Sequence, residues 1–459
     1  MKRYYFDHAA TTPVDKRVVK AMEPYHSEVF GNPGSVHRFG QEASAAVFKA
    51  RNKIAKLINC DYREVVFTGS ATEANNLAIR GIVKNVRNFG SVGNDMEQEK
   101  RSNKRSDLTI KTFIPRIITS QIEHESILET CRDLEREGLA EVIYLPVSKV
   151  GIIDIKKLKA ALNERTVLVS IMYANNEVGS IQPIKEISKV IRQYKEEKEF
   201  SPKTPAAERV RYLSKRDERG EVQASELLGE RSGLRENYFS SPLYPLFHTD
   251  AAQAFNYLDC DIKELGVDMM TLSSQKIYGP KGIGLLYIRN FGSILGEKFI
   301  KSVIVGGHQE EGLRAGTENV AGIVGFAEAA QIASDLRKKE SARLYKLQAY
   351  FWKNLKSVNK LGGVILNGPD LGNERLPNNI NIYFPRQEGL IYKLDMAGFA
   401  VSGGSACSAR LCRPSHVLVA MGCSDTKASE SVRISFGRQT DKRNIDKFLK
   451  VIKNINLHQ

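Results

Sequence analysis

The sequence predicts an α/β protein: a sheet with helices packed on both faces. Two observations carry this. Short strand-like runs, Val65-Val66-Phe67, Arg116 to Thr119, Glu141 to Leu145 and Thr166 to Ile171, alternate with helical patterns such as Ser126 to Glu137 and Ile155 to Leu162. Small-residue turns also follow the apolar runs, and in such sheets ligands gather beyond the carboxyl ends of the strands.

Taken in order, Val65-Val66-Phe67 runs into Thr68-Gly69-Ser70-Ala71-Thr72-Glu73 and then the helical Ala74 to Ile79. A strand, a small-residue turn and a helix N-terminus form an anion site. The apolar Leu246-Phe247 leads to a strand end at His248-Thr249-Asp250-Ala251-Ala252-Gln253. Val267 to Leu272 precedes Ser273-Ser274-Gln275-Lys276 and a Gly-Pro turn. Ser334 to Val358 reads as a long charged helix leading into a second domain. Residues of about 90–111 and 195–243 are polar and poorly patterned, and read as surface insertions.

A chain of 459 residues can bury a large core, and length alone suggests about three domains. The net charge is +15, but Lys and Arg are spread along the chain rather than interleaved with aromatics. A basic surface is therefore expected, with no direct nucleic-acid role. Six cysteines without a paired framework fit a reducing cytoplasm. No run is long enough to span a bilayer, and no apolar signal region opens the chain.

Lys276 follows an apolar run and stands among small polar residues, where an amine can act as a Schiff-base nucleophile. Asp250 could pair with a protonated pyridine nitrogen, and Gln253 could donate to a phenolic oxygen. With the Ser70-Ala71-Thr72 turn as phosphate cradle, this is the layout pyridoxal 5'-phosphate requires. Each residue alone has an ordinary reading: a solvated lysine, a strand-end acid.

Further segments carry a resemblance. They are Asp7-His8-Ala9-Ala10-Thr11-Thr12-Pro13-Val14, Gly31 to Gly40, Gln121-Ile122-Glu123-His124, Met172 to Gly179, Gly306 to Asn319, Ser402 to Ala409 and Ser431 to Arg438. In these the chain resembles the first group of cysteine desulfurases, among the fold-type I pyridoxal-phosphate enzymes of the class-V aminotransferase family. The resemblance implies a large cofactor domain over 14–335, with a mixed, mostly parallel sheet. It implies a smaller α+β domain from 1–13 and 336–459, which carries a catalytic cysteine loop.

It also implies roles. Lys276 holds the cofactor and moves a proton. His124 stacks on the ring, and Asp250, Gln253 and Asn176 contact the ring and its substituents. Ala71, Thr72, Ser273, Gln275 and, from the other subunit of a homodimer, Thr317 hold the phosphate. Asn32 and Arg433 clamp the carboxylate of L-cysteine. Cys407 receives the sulfur as a persulfide. It then passes the sulfur to an acceptor such as an iron–sulfur scaffold protein or a tRNA-thiolation enzyme. No membrane partner is implied.

The chain departs from the pattern at Gln275, where the family usually has histidine; glutamine can donate to phosphate but cannot become cationic. Cys412 is an extra thiol near the acceptor. Cys407, Cys412, His416 and Cys423 lack the compact paired spacing of common zinc sites, so no resident metal is expected, although Cys407 could ligate an iron–sulfur cluster transiently. The end at Leu457-His458-Gln459 lowers the expectation of a scaffold partner that needs a longer C-terminal tail. The competing readings are a selenocysteine lyase, an aminotransferase, or a binding scaffold without catalysis.

Overall fold

A computed structural model of the chain describes residues 2–98, 113–199, 244–291, 299–357, 363–404 and 414–455. Cys407, Cys412 and most of both insertions lie outside the described residues. The first strand, β1, is Tyr4–Tyr5, and the first helices are α1 (Lys16–Met22), α2 (Pro24–Ser27) and α3 (Arg38–Ile58). The main sheet is built from β2 (Val65–Thr68), β3 (Arg116–Ser120), β4 (Glu141–Leu145), β5 (Thr166–Ser170), β6 (Leu246–Asp250), β7 (Met269–Ser273) and β8 (Gly284–Ile288). Among the described residues its order is β2-β8-β7-β6-β5-β3-β4. The stretch from β7 to β4 is parallel, and β8 runs antiparallel to both of its neighbours.

Strands β5, β6 and β7 are buried at every residue. Helices cover both of their faces, so their apolar runs are continuous rather than alternating. The covering helices include α4 (Ala71–Gln98), α5 (Glu125–Arg136), α6 (Ile155–Ala161) and α7 (Ile184–Glu199). One apolar cluster joins α4 and α5 to one face, with Ala74, Leu77, Ile127 and Leu246 among its members. A larger cluster on the other face extends through the helix Val320–Lys356 to a second, antiparallel sheet.

That second sheet has β9 (Ile365–Asn367), β10 (Asn379–Tyr383) and β12 (Ser431–Ser435), in the order β12-β10-β9. The chain start belongs beside it: β1 pairs in parallel with β11 (Phe399–Ala400), and Asp7 bridges Ser435.

Three boundaries differ from those read in the sequence. The long helix starts at Val320, capped by the Asn319 side chain, well before Ser334. Helices α4 and α7 run to Gln98 and Glu199, so residues 90–98 and 195–199 are helical rather than loop. The helix start was hidden by Gly322 and Gly325, poor helix formers that close packing accommodates. A Cβ at Gly325 would lie 2.6 Å from the Met22 sulfur of α1.

Candidate active site

The site lies where the carboxyl ends of β6 and β7 face the N-terminus of α4. Asp250 is the last residue of β6 and is 7% exposed. Its Oδ1 accepts from the Ala252 amide at 2.9 Å, and its Oδ2 accepts from Asn75 Nδ2 at 2.8 Å. Asn75 sits on the second turn of α4 and also donates to Ser126 Oγ at 2.9 Å. Ser126 Oγ in turn meets His124 Nδ1 at 2.9 Å, where the hydroxyl donates. Asp250, Asn75, Ser126 and His124 therefore form one hydrogen-bonded chain.

His124 is the N-cap of α5: its Nδ1 accepts from the Ser126 amide at 3.1 Å. An accepting Nδ1 places the neutral ring's proton on Nε2. Burial pulls the His124 pKa below its ordinary value, and the Asp250 carboxylate offsets only part of that. Beneath it, Glu123 is wholly enclosed; burial pushes its carboxyl up to about 8, against hydrogen bonds from Ser120 and the Met172 amide.

Lys276 closes the short turn Ser274–Lys276 after β7. Its Nζ donates to the carbonyls of Ala9 at 2.8 Å and Ala10 at 2.6 Å. Gln253 Nε2 donates to the same Ala9 carbonyl at 3.0 Å. Thr12 donates through its amide and its hydroxyl to the Gln275 carbonyl, at 3.0 and 2.9 Å. The N-terminal segment thus lies directly across the lysine turn. Ser273 is buried and Gln275 is half-buried on either side of it.

At the head of α4, no described group accepts from the Ala71 and Thr72 amides. They are the open donors of a long helix, where the macrodipole favours an anion. β8 comes so close that a Cβ on Gly284 would lie 2.7 Å from the Ala71 nitrogen. The adjacent carboxylate, Glu73, is paired with Arg314 at 2.8 Å and caps the Gly69 amide at 2.9 Å, which limits its repulsion of a phosphate.

Arg433 on β12 is 1% exposed. Its Nη2 donates to Asp7 at 2.7 Å and its Nη1 to the Asn176 carbonyl at 3.2 Å, while its buried Nε finds no acceptor among the described residues. That orphaned donor gives the guanidinium unused capacity for an anion. The structure brings Lys276, Asp250, Gln253, His124 and the α4 turn together, and joins Asn176 to Arg433. Asn32 lies in an exposed loop before α3, where its Oδ1 accepts from Gly34 at 2.9 Å; Thr317 is also exposed. Neither makes a hydrogen bond to that cluster.

Sequence reasoning missed Asn75, Ser126, Glu123 and Asp7. Asn75 had a readable signal, because it stands one helical turn beyond Ala71 and so shares a face with the anion turn. The Asp7–Arg433 pair joins opposite ends of the chain and had none.

The residues fit pyridoxal phosphate: an amine, a carboxylate held by two donors, a neutral imidazole and an open helix N-terminus. The family described as aminotransferase class-V matches residues 4–92, 115–196 and 244–448. The cysteine desulfurase IscS of Dictyoglomus turgidum is 38% identical, over 99% of this chain and 95% of that protein. The mitosomal cysteine desulfurase of Encephalitozoon cuniculi is also 38% identical, over 97% of this chain and 84% of its own. The solved structure of a NifS-like protein superposes with a TM-score of 0.75 at 30% identity, covering 100% of both chains. A structure of SspA in complex with cysteine gives 0.66 at 30% identity, over 94% of this chain and 98% of its own. The chain belongs to the class-V aminotransferase family and, within it, to the pyridoxal-phosphate-dependent cysteine desulfurases.

Proposed function

We propose that the chain removes sulfur from L-cysteine, releases L-alanine and leaves the sulfur as a persulfide on Cys407. The carbon–sulfur bond of the substrate breaks and a sulfur–sulfur bond forms. The proton lost from the Cys407 thiol is balanced by the one gained in the alanine methyl, so no external oxidant is needed. The observation that carries this reading is the convergence of the Lys276 amine, the Asp250 carboxylate and the open amides of Ala71 and Thr72 on one site.

When bound, the cofactor supplies an electron sink for the substrate Cα. The rest falls to side chains. Lys276 is the covalent anchor and proton carrier. Asp250, held by Asn75 and the Ala252 amide, keeps the ring nitrogen protonated. His124, neutral through burial, would lie against the ring and could offer its Nε2 proton. Gln253 and Asn176 address the ring substituents. Ala71, Thr72, Ser273 and Gln275 hold the phosphate, with Gln275 as a neutral donor. Asn32 and Arg433 receive the substrate carboxylate through charge-assisted bonds.

We read 14–335 as the large domain, and 1–13 with 336–459 as the small one. The pairing of β1 with β11 supports this. A homodimer with Thr317 completing the neighbouring phosphate site fits the exposure of Thr317. The acceptor is an iron–sulfur scaffold protein or a tRNA-thiolation enzyme. The compartment is the cytoplasm, in keeping with four free cysteines among the described residues. No helix among the described residues is long and apolar enough to cross a membrane.

Purified protein should be yellow. It should convert L-cysteine with a thiol reductant into alanine and sulfide, and borohydride should fix the cofactor to Lys276. A Lys276→Ala protein that still makes a borohydride-fixable bond would overturn the assignment.

A further inference from the structure

Lys276 is held at both its root and its tip by one short stretch of chain, to which the reaction as written gives no task. At the tip, the Ala9 and Ala10 carbonyls accept from the amine. At the root stands Thr12, which is buried. Its hydroxyl donates to the Gln275 carbonyl at 2.9 Å and accepts from the Tyr278 amide at 2.8 Å. The Thr12 amide donates to the same Gln275 carbonyl at 3.0 Å. A hydroxyl has one proton to give. Here that proton goes to the residue before the lysine, while a lone pair takes the amide of the residue two beyond it.

Tyr278 has a φ of 67°, a left-handed conformation that is rare for a bulky residue. Such a residue persists only where its surroundings over-determine it, and outliers of this kind gather at functional sites. Each of its polar groups is engaged. Thr12 takes its amide. The Asp15 amide donates to its carbonyl at 2.9 Å, and the Arg438 amide donates to its phenolic oxygen at 2.7 Å. The Arg438 guanidinium lies 4.0 Å from the ring centroid and pairs with Asp15 at 3.1 Å. The turn itself is tight. The Ile277 and Gly279 amides both donate to the Ser274 carbonyl at 3.0 Å, and a Cβ on Gly279 would lie 2.1 Å from Ser274 Oγ.

We propose that Thr12 is a positioning residue for the cofactor lysine: its hydroxyl ties Gln275 to Tyr278 across Lys276, and so fixes the direction in which the amine enters the site. A lysine side chain is long and flexible. A turn that rocks at the root therefore spreads the amine over many positions at the tip. Covalent attack needs the nitrogen within about 3–3.5 Å of its target, so a fixed root raises the share of productive poses. Without the hydroxyl, the buried Tyr278 amide loses its acceptor, and the strained residue is driven to rotate toward another.

The proposal rests on Lys276 being the cofactor anchor, which borohydride fixation and peptide mapping of the parent protein test separately; cofactor fixed to another residue there overturns that reading and the brace with it. The brace itself is tested by stripping and reloading the full-length holoenzyme as parent, Thr12→Val and Thr12→Ser. Bond formation between Lys276 and added pyridoxal 5'-phosphate is timed by borohydride quenching. Binding of pyridoxamine 5'-phosphate, which has no aldehyde and cannot bond to lysine, is measured in parallel. In Thr12→Val the bond should form at least about tenfold more slowly, while affinity for pyridoxamine 5'-phosphate stays within about twofold. Thr12→Ser keeps the hydroxyl and should reload within about threefold of the parent. Should Thr12→Val not fold, Thr12→Ala removes the same hydroxyl with less bulk and makes the pair with Thr12→Ser. The proposal is overturned if the variant without a hydroxyl reloads at the parent's rate, or if bond formation and pyridoxamine 5'-phosphate binding fall in the same proportion. It is also overturned if Thr12→Ser rescues nothing.

Discussion

His248 stands two residues before Asp250 on β6 and is completely enclosed between β5 and β7. Its Nδ1 meets Ser170 Oγ at 2.9 Å and its Nε2 meets Thr271 Oγ1 at 3.0 Å, so both ring nitrogens are used. Burial lowers its pKa from 6.5 to about 4. The unfolded chain therefore binds this proton more readily than the native protein. Its contribution to stability is intact above about pH 6.5 and is lost as the pH falls toward 4. The full difference is about 3 kcal/mol. His248→Gln should lose less stability than the parent between pH 7 and pH 4.5, judged by urea midpoints. Equal losses in the two proteins would contradict the account. Asp250 and Lys276 could be read in the sequence because their chemistry demands those residue types after strands. His248 could not be told from a catalytic histidine, since only its enclosure between strands decides the matter.

At the scale of elements, Arg375 shows how the loop bearing Asn176 and Glu177 is fastened to the second sheet. It is fully buried and donates to the carbonyls of Pro369 at 2.8 Å, Val178 at 2.7 Å and Asn367 at 2.5 Å. Burial pulls its guanidinium down to about 9, with Asp370 only a partial offset. Without the fork, those carbonyls would be buried unpaired, at a cost of about 1–3 kcal/mol each. Arg375→Met should lower the denaturation midpoint markedly. Arg375→Lys should lower it less, because lysine keeps the charge but not the planar geometry. Matching midpoints in parent and both variants would refute this fastening role. Strands β3 to β7 were legible because their apolar runs are dense in valine, isoleucine and leucine or end in recognisable turns. β8 was not: Gly284 to Ile288 follows a glycine-rich turn, and it lies between its sequence neighbour β7 and the distant β2. β12 carries a buried arginine and pairs with residues some fifty positions earlier, so alternation alone gave no strand.

At the scale of the whole molecule, the proposed homodimer bears on the segment leading to Thr317. Glu310, Glu311 and Gly312 have φ values of 50°, 56° and 79°, and a non-glycine residue in this region costs about 1–2 kcal/mol. Glu310 is held there by Arg51 at 2.6 Å and by the Phe67 amide at 3.1 Å. A strained, well-anchored segment that ends in an exposed threonine fits a composite site. Sedimentation should find a dimer, and Thr317→Ala should weaken cofactor binding severalfold without dissociating it. A fully active monomer would contradict this. Cofactor chemistry was legible in sequence because its motifs are short and local. The assignment of Cys407 rests on the same resemblance alone, because Cys407 lies outside the described residues.

The central claim is that sulfur passes to Cys407, and peptide mass spectrometry after brief treatment with L-cysteine tests it most directly. The account predicts one extra sulfur atom on Cys407 in the parent protein. In Cys407→Ala it predicts none anywhere, although the cofactor remains bound and its spectrum still responds to cysteine. Sulfur found on Cys412 with Cys407 unmodified, or sulfide release undiminished in Cys407→Ala, would contradict it.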